Sequence, residues 1–367
     1  MAFGGEGVGR SAEGKVVFVP GAAPGDKLRI RVLADHGRYE RAEIVEILEK
    51  STFRVDPPCS VFGTCGGCQW QYLRYETQLK MKEDILRDAL QRVGRVPQPN
   101  VLPMIPAENP WHYRHRIQLK VDSEKQIGFY ALKSHQVIPF EECLIADQRL
   151  NEKLIQIRQS PKLSELPFEL AVTEAGLVEK WEGEEGPFSQ VNPEQNKSLI
   201  RTVLEMAFGK AELAFTQKKT VVELYAGSGN FTFPLSERVG QIFAVESSHR
   251  AVRRGEEETL RRRIENIHWI PGDAEWGLKK IYRMVKEGKL AVDLLVLDPP
   301  RHGARKILDL VPLIRPRQIV YVSCDPMTLS RDLEFLCRRH YRLECVQPVD
   351  MFPQTYHIES VAQLILP

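Results

Sequence analysis

Val221-Val222-Glu223-Leu224-Tyr225-Ala226-Gly227-Ser228-Gly229-Asn230-Phe231 decides the fold. The stretch reads as an apolar strand that runs into a glycine-rich turn and then a helix. Glycines at such a turn permit a close backbone approach to a ligand. A second apolar run, Ile242-Phe243-Ala244-Val245, ends in Glu246. An acid about 20 residues beyond the turn can accept hydrogen bonds from two ribose hydroxyls. A dinucleotide fingerprint would need a third glycine, and Thr232 stands there, which weakens a pyrophosphate-binding reading.

Downstream, strand and helix signals alternate. Thr220–Tyr225, Gln241–Val245, Ile267–Ile270, Val292–Leu297 and Gln318–Val322 are continuous apolar runs, as expected of strands buried on both faces of a parallel sheet. Tyr341–Val346 and Glu359–Leu366 read as a closing antiparallel pair. The pattern is that of a doubly wound α/β sheet, whose functional residues lie at the carboxyl ends of its strands. Two polar motifs fall at such ends. Leu294-Leu295-Val296-Leu297 runs into Asp298-Pro299-Pro300-Arg301, where the prolines fix an extended loop. Ile319-Val320-Tyr321-Val322 runs into Ser323-Cys324-Asp325-Pro326. Asp325 fits an N-cap and Pro326 a first helical residue, so Cys324 is expected beside a helix N-terminus, where the dipole favours a reactive thiolate. A buried, inert thiol is the ordinary alternative, and it is the reading for Cys337 and Cys345. Thr355-Tyr356-His357-Ile358-Glu359-Ser360 places a carboxylate just before the last strand.

Upstream of about Gln195 the texture differs. Lys15–Val19 and Leu28–Val32 read as short strands separated by Pro20-Gly21 and Pro24-Gly25, which suits a small OB-like β-barrel. Little chain precedes Gly4, so that barrel is expected to be cut short at its start. A turn-rich segment then holds Cys59, Cys65 and Cys68, and an amphipathic helix is expected from Tyr75 to Val93. Cys59-x₅-Cys65-x₂-Cys68 supplies three ligands, and Cys143 is the upstream candidate for a fourth. Four thiolates can hold zinc or an iron–sulfur cluster, and spacing alone leaves both open. Trp111-His112-Tyr113-Arg114-His115-Arg116 interleaves aromatic and basic side chains, as a nucleic-acid contact or a strand edge would.

The net charge is only +2, so a nucleic-acid binder would have to concentrate its basic residues locally; Arg10, Lys15, Arg29 and Arg31 are candidates. Seven cysteines, an odd number, argue against a disulfide framework. No apolar run is long enough to span a bilayer and no signal core follows Met1, so a cytoplasmic protein with no membrane partner is expected. A monomer is the default expectation.

Taken in order, Gly227-Ser228-Gly229-Asn230-Phe231-Thr232, Asp298-Pro299-Pro300-Arg301, Ser323-Cys324-Asp325-Pro326 and His357-Ile358-Glu359 resemble the RNA uracil-5-methyltransferase family. Gly4-Gly5-Glu6-Gly7-Val8-Gly9-Arg10 with Phe18-Val19-Pro20-Gly21 resembles its TRAM domain, and Cys65-Gly66-Gly67-Cys68 with Cys59, Gln69 and Tyr72 its iron–sulfur module. The likeness covers essentially the whole chain. It implies an α/β protein in three parts: a TRAM-like barrel over residues 1–50, a central α+β iron–sulfur and RNA-binding domain over 51–186, and a Rossmann-like S-adenosylmethionine-dependent methyltransferase domain over 187–367. Matching the family position by position, Cys324 is the nucleophile and Glu359 the general base. Gln190 (in Phe188-Ser189-Gln190-Val191-Asn192), Tyr225, Asn230, Glu246, Asp273 and Asp298 are the S-adenosylmethionine contacts. Cys59, Cys65, Cys68 and Cys143 hold a [4Fe–4S] cluster, and Phe188 is a candidate stacking partner for the target base. The implied reaction methylates carbon-5 of a uridine, in large-subunit ribosomal RNA by preference, with transfer RNA or a non-catalytic RNA-binding role as alternatives. The chain departs from the family pattern at Ala226, Asp273 and Tyr356; none of these removes a catalytic group.

Overall fold

The computed structural model describes the chain from Met1 to Pro367 apart from residues 12, 161–165, 174, 183–189 and 210–215. Two compact units divide it. The first takes Met1–Ile85, Pro106–Asn196 and Asp350–His357; the second takes Leu86–Ile105, Lys197–Val349 and Ile358–Pro367.

In the first unit, β1 (Gly7–Arg10), β2 (Val16–Val19), β3 (Lys27–Asp35) and β4 (Tyr39–Glu49) form a four-stranded sheet in the order β1-β2-β4-β3. Val17, Val19, Ala22 and Ala42 make its small core. The register of β3 against β4 sets Lys27 opposite Glu49, Arg29 opposite Glu46 and Arg31 opposite Glu43. Each of these couples is an ion pair. Lys15 bonds Asp35 at 2.7 Å, and Arg10 donates to the Gly14 carbonyl at 3.0 Å. The basic residues expected to reach phosphates are therefore already engaged, because the antiparallel register puts an acid across from nearly every base.

Helix α1 (Tyr75–Arg92) follows and contributes Leu86 and Leu90 to the core of the second unit. Next come β5 (Arg116–Val121), β6 (Ile127–Tyr130), β7 (Val137–Pro139), α2 (Gln148–Arg158), β8 (Phe168–Val172) and β9 (Val178–Glu182). The five strands form an antiparallel sheet in the order β7-β6-β5-β8-β9. Leu119, Leu150, Leu154 and Leu170 are fully buried between it and α2. The segment Asp350–His357 is fixed in this unit by a fully buried Lys82–Asp350 ion pair at 2.5 Å, and the Tyr75 hydroxyl donates to Asp350 at 2.8 Å.

The second unit continues from Lys197 of α3 (Pro193–Phe208) through β10 (Thr216–Leu224), α4 (Thr232–Ser236), β11 (Val239–Glu246), α5 (His249–Arg262), β12 (Ile267–Pro271), α6 (Ala274–Lys286) and β13 (Leu294–Leu297). A 3-10 turn and α7 (Val311–Ile314) lead to β14 (Gln318–Ser323), α8 (Pro326–Arg338), β15 (Arg342–Val349) and β16 (Glu359–Ile365). The seven strands run in the order β12-β11-β10-β13-β14-β16-β15. The first five are mutually parallel, and β16 pairs antiparallel with both β14 and β15. Val221, Val222 and Leu224 of β10, all of β13 and Ile319–Val322 of β14 are buried, as strands covered on both faces must be. Chain order reverses between β10 and β13, the place where an open sheet of this kind opens a crevice at its carboxyl edge.

Candidate active site

Five parallel strands deliver their ends to that edge. After β10 the chain turns sharply: Tyr225 has φ +66° and Gly229 φ +108°. A Cβ at position 229 would lie 2.4 Å from the Phe233 ring, so only glycine fits. Tyr225 has no such licence, and a non-glycine residue held in the left-handed region costs roughly 1–3 kcal/mol, a strain that gathers at ligand sites. Beneath the turn, Glu223 is buried beside Val221, Val222 and Leu224 at the end of β10 and accepts a hydrogen bond from the Thr232 hydroxyl at 2.7 Å. Burial pushes its carboxyl up to about 8.

At the end of β11, the Glu246 carboxylate accepts from the Gly227 amide at 2.9 Å and from the Ser248 amide at 2.7 Å, so it stands between the two loops. Asp273 caps α6 by accepting from the Trp276 amide at 2.7 Å. Asn230 is half-buried within the glycine turn. Asp298 follows β13 directly, and burial raises its carboxyl to about 7. These four groups, with Tyr225, occupy the carboxyl ends of β10 to β13. Gln190 is half-buried in the first unit. Phe188 and Ser189 lie outside the described residues.

Cys324 follows β14, and Glu359 opens β16. Because Ser323 pairs with Ser360, the two reactive candidates stand one position beyond a paired couple, on neighbouring strands. Asp325 caps α8, accepting from the Met327 and Thr328 amides at 2.9 Å each. The helix N-terminus beside Cys324 is thus where the sequence puts it, yet it does not decide the thiol's charge. Burial, then the neighbouring Glu359, push the thiol up to about 11, with Asp298 and Asp325 adding to the effect and Arg301 opposing it. Glu359 is itself buried and held well above the usual carboxylate range by burial and by Asp298, again opposed by Arg301. Arg301 and Glu223 join the site without a role that their local sequence assigns. The signal for Glu223 is an acid set within the apolar run Val221–Leu224.

A cavity of about 710 Å³ lies within the first unit, and Cys59, Cys65, Cys68 and Cys143 all line it, with Arg114 and Lys120. Burial raises Cys68 to about 12 and Cys143 to about 11, and Cys143, Cys65 and Cys59 add to the rise at Cys68. The Gly67 amide donates to Cys65 Sγ at 3.4 Å. Among the described residues, no group of three or more His, Cys, Asp or Glu stands ready to hold a metal ion. The run Trp111–Arg116 is largely structural. Tyr113 is buried and donates to the Pro353 carbonyl at 3.0 Å, His115 faces Asp147 at 3.2 Å, and Arg116 pairs with Glu169 at 2.8 Å.

The reversed final hairpin, the glycine turn after the first parallel strand and the acid ending the second define an S-adenosylmethionine-dependent methyltransferase fold. The family model described as tRNA (uracil-5-)-methyltransferase matches residues 169–365, and the TRAM domain matches residues 2–45. An uncharacterized RNA methyltransferase of Bdellovibrio bacteriovorus is 35% identical over 99% of this chain and 93% of its own length. One from Aquifex aeolicus is 32% identical over 99% and 96%. Among solved structures, a Pyrococcus abyssi tRNA (uracil-54, C5)-methyltransferase in complex with S-adenosyl-L-homocysteine shares the fold, with a TM-score of 0.69, 22% identity and coverage of 98% and 100%. The chain belongs to the tRNA (uracil-5-)-methyltransferase family, and so to the S-adenosylmethionine-dependent RNA (uracil-5-)-methyltransferases. Among the described residues no helix is long and apolar enough to cross a membrane.

Proposed function

We propose that this enzyme methylates carbon-5 of one uridine in large-subunit ribosomal RNA through a covalent adduct on Cys324. The observation that supports the reading most is the meeting of Cys324, Glu359 and Asp298 at one strand edge, with Arg301 as the cation acting on both the thiol and Glu359. Carbon-5 of uracil is too weak a nucleophile to take a methyl group unaided. Cys324 adds as thiolate to carbon-6, and the electrons of the 5,6 double bond pass into an enolate. S-adenosylmethionine, when bound, supplies a methyl group on a positively charged sulfur. Carbon-5 takes that methyl, Glu359 accepts the carbon-5 proton, and the carbon–sulfur bond to Cys324 breaks to restore the ring. Both groups must ionise first, and Arg301 favours the ionised form of each. The target base has to leave its stack to reach this edge.

Tyr225, Asn230, Glu246, Asp273 and Asp298 are the proposed cofactor contacts in the methyltransferase part, with Gln190 as a sixth. The three-part division at residues 1–50, 51–186 and 187–367 accompanies this reading, as do a monomer and a cytoplasmic site. Cys59, Cys65, Cys68 and Cys143 would hold a [4Fe–4S] cluster. Four soft thiols around one cavity, with an amide aimed at a sulfur, suit such a group better than a hard cation. Its part would be structural. What supports ribosomal over transfer RNA is the pairing of a TRAM domain with a cysteine module.

The test is transfer of labelled methyl from S-adenosylmethionine to total RNA that lacks 5-methyluridine, fractionated into ribosomal and transfer RNA. Label should enter 5-methyluridine of the large-subunit RNA with wild type and not with Cys324→Ala. Label in transfer RNA alone would move the target, and label with Cys324→Ala would remove the covalent step.

A further inference from the structure

Tyr321 lies in the buried stretch Ile319–Ser323 of β14, and its hydroxyl needs a partner there. The partner is Asp332, a carboxylate with no exposed surface on the inner face of α8, flanked by the buried Leu329, Leu333 and Leu336. Asp332 Oδ2 accepts from the Tyr321 hydroxyl and from the Ala304 amide, each at 2.7 Å. Arg331 donates to Oδ1 at 2.9 Å and to the His302 carbonyl at 2.9 Å. Thr328 donates to the Arg301 carbonyl at 3.0 Å. Gly303, at φ +79°, is where the loop comes closest: a Cβ there would lie 2.5 Å from Asp332 Oδ2. Thr328, Arg331 and Asp332, all in the first two turns of α8, thus hold the loop that follows β13 at Arg301, His302 and Ala304. The same helix begins two residues after Cys324.

We propose that Asp332 is a positioning residue for methyl transfer. Its buried carboxylate fastens the Asp298–Ala304 loop to the helix that starts beside Cys324, and so fixes Arg301 against the thiol. A buried carboxylate with three converging donors is rigid because removing any one partner leaves an unpaired polar group in the core. The proposal rests on the uracil-5 reading above only for its turnover readout.

The first measurement is the pH dependence of Cys324 alkylation by iodoacetamide, followed on its own peptide by mass spectrometry. It needs no RNA. The charged groups facing this thiol are Asp298 and Arg301 from the β13 loop, Asp325 from α8 and Glu359 from β16. In Asp332→Asn the loop loosens, Arg301 withdraws, and the midpoint for Cys324 should move to higher pH. The second measurement is steady-state methyl transfer. The rate kcat should fall about a hundredfold, the scale of an ångström-sized misplacement, while KM for S-adenosylmethionine stays within about threefold of wild type. Arg331→Gln and Thr328→Val, at less buried contacts, should shift both readouts the same way by smaller factors. They carry the test if Asp332→Asn does not fold. An unmoved alkylation midpoint in the folded variants overturns the proposal, as does a loss confined to KM. If wild type fails to methylate RNA, the uracil-5 reading falls, and the alkylation comparison still decides the role of Asp332.

Discussion

The N-terminal sheet and the carboxyl edge of the seven-stranded sheet handle charge in opposite ways. On β3 and β4 nearly every base faces an acid in register, and the pairs are exposed; Arg29 and Glu46 keep 63% and 52% of their side-chain surface. At the carboxyl edge burial raises the proton affinity of Glu223, Asp298 and Glu359, and the charge of Asp298 adds to the rise at both glutamates. Exposed pairs contribute little to stability and can be traded freely. Buried carboxyls without a matching cation oppose folding in their ionised form, so a fold carries them where chemistry needs them.

The contrast can be broken in four places. The largest effect belongs to Glu359→Gln. With no acceptor for the carbon-5 proton, turnover should fall on the order of 10²–10⁴-fold, and RNA should remain covalently attached to the protein on denaturing gels. Free RNA and near-normal turnover would remove Glu359 from the base role.

Glu223→Gln should change the pH dependence of stability. The unfolded carboxyl ionises near its ordinary 4.5, and the folded one holds its proton to about 8. Between those values the folded state binds the extra proton, so wild-type stability falls as pH rises through that window. The glutamine variant lacks this loss. It should match wild type near pH 4.5 and exceed it by roughly 4 kcal/mol at pH 8 in urea unfolding. Parallel curves for the two proteins would show that Glu223 is ionised in the fold.

Gly229→Ala meets both the Phe233 ring and a backbone at φ +108°. It should weaken S-adenosylmethionine binding by about 1–3 kcal/mol in calorimetry. Unchanged affinity would place the cofactor elsewhere. Smallest of all, Arg29→Ala should cost less than about 1 kcal/mol, vanishing in high salt. A larger cost would mean that the cross-strand pairs are part of the scaffold.

Much of this contrast was written in the sequence. The apolar runs at Thr220–Tyr225, Val292–Leu297 and Gln318–Val322 marked central strands because strands covered on both faces tolerate few polar side chains. The motifs at their ends, Asp298-Pro299-Pro300 and Ser323-Cys324-Asp325-Pro326, told where the edge was, since proline and an N-capping acid have local meanings. Contacts between distant segments were not legible. The pairing of Arg29 with Glu46 depends on strand register, which one strand's pattern does not state. The elevated Cys324 thiol depends on Glu359, thirty-five positions on, and outweighs the helix N-terminus that the local sequence advertises. Asp332 left a trace, a charged residue at an apolar position of α8, but its partners Tyr321 and Ala304 are visible only once the helix is packed.

The central claim is that Cys324 forms a bond to the base. The direct measurement uses RNA containing 5-fluorouridine, whose carbon-5 substituent no base can remove as a proton. After incubation with S-adenosylmethionine, the complex is denatured, digested and read by mass spectrometry. The account predicts the peptide carrying Cys324 with one methylated fluorouridine nucleotide attached. No adduct, or an adduct on another cysteine while normal RNA is still methylated, would contradict it.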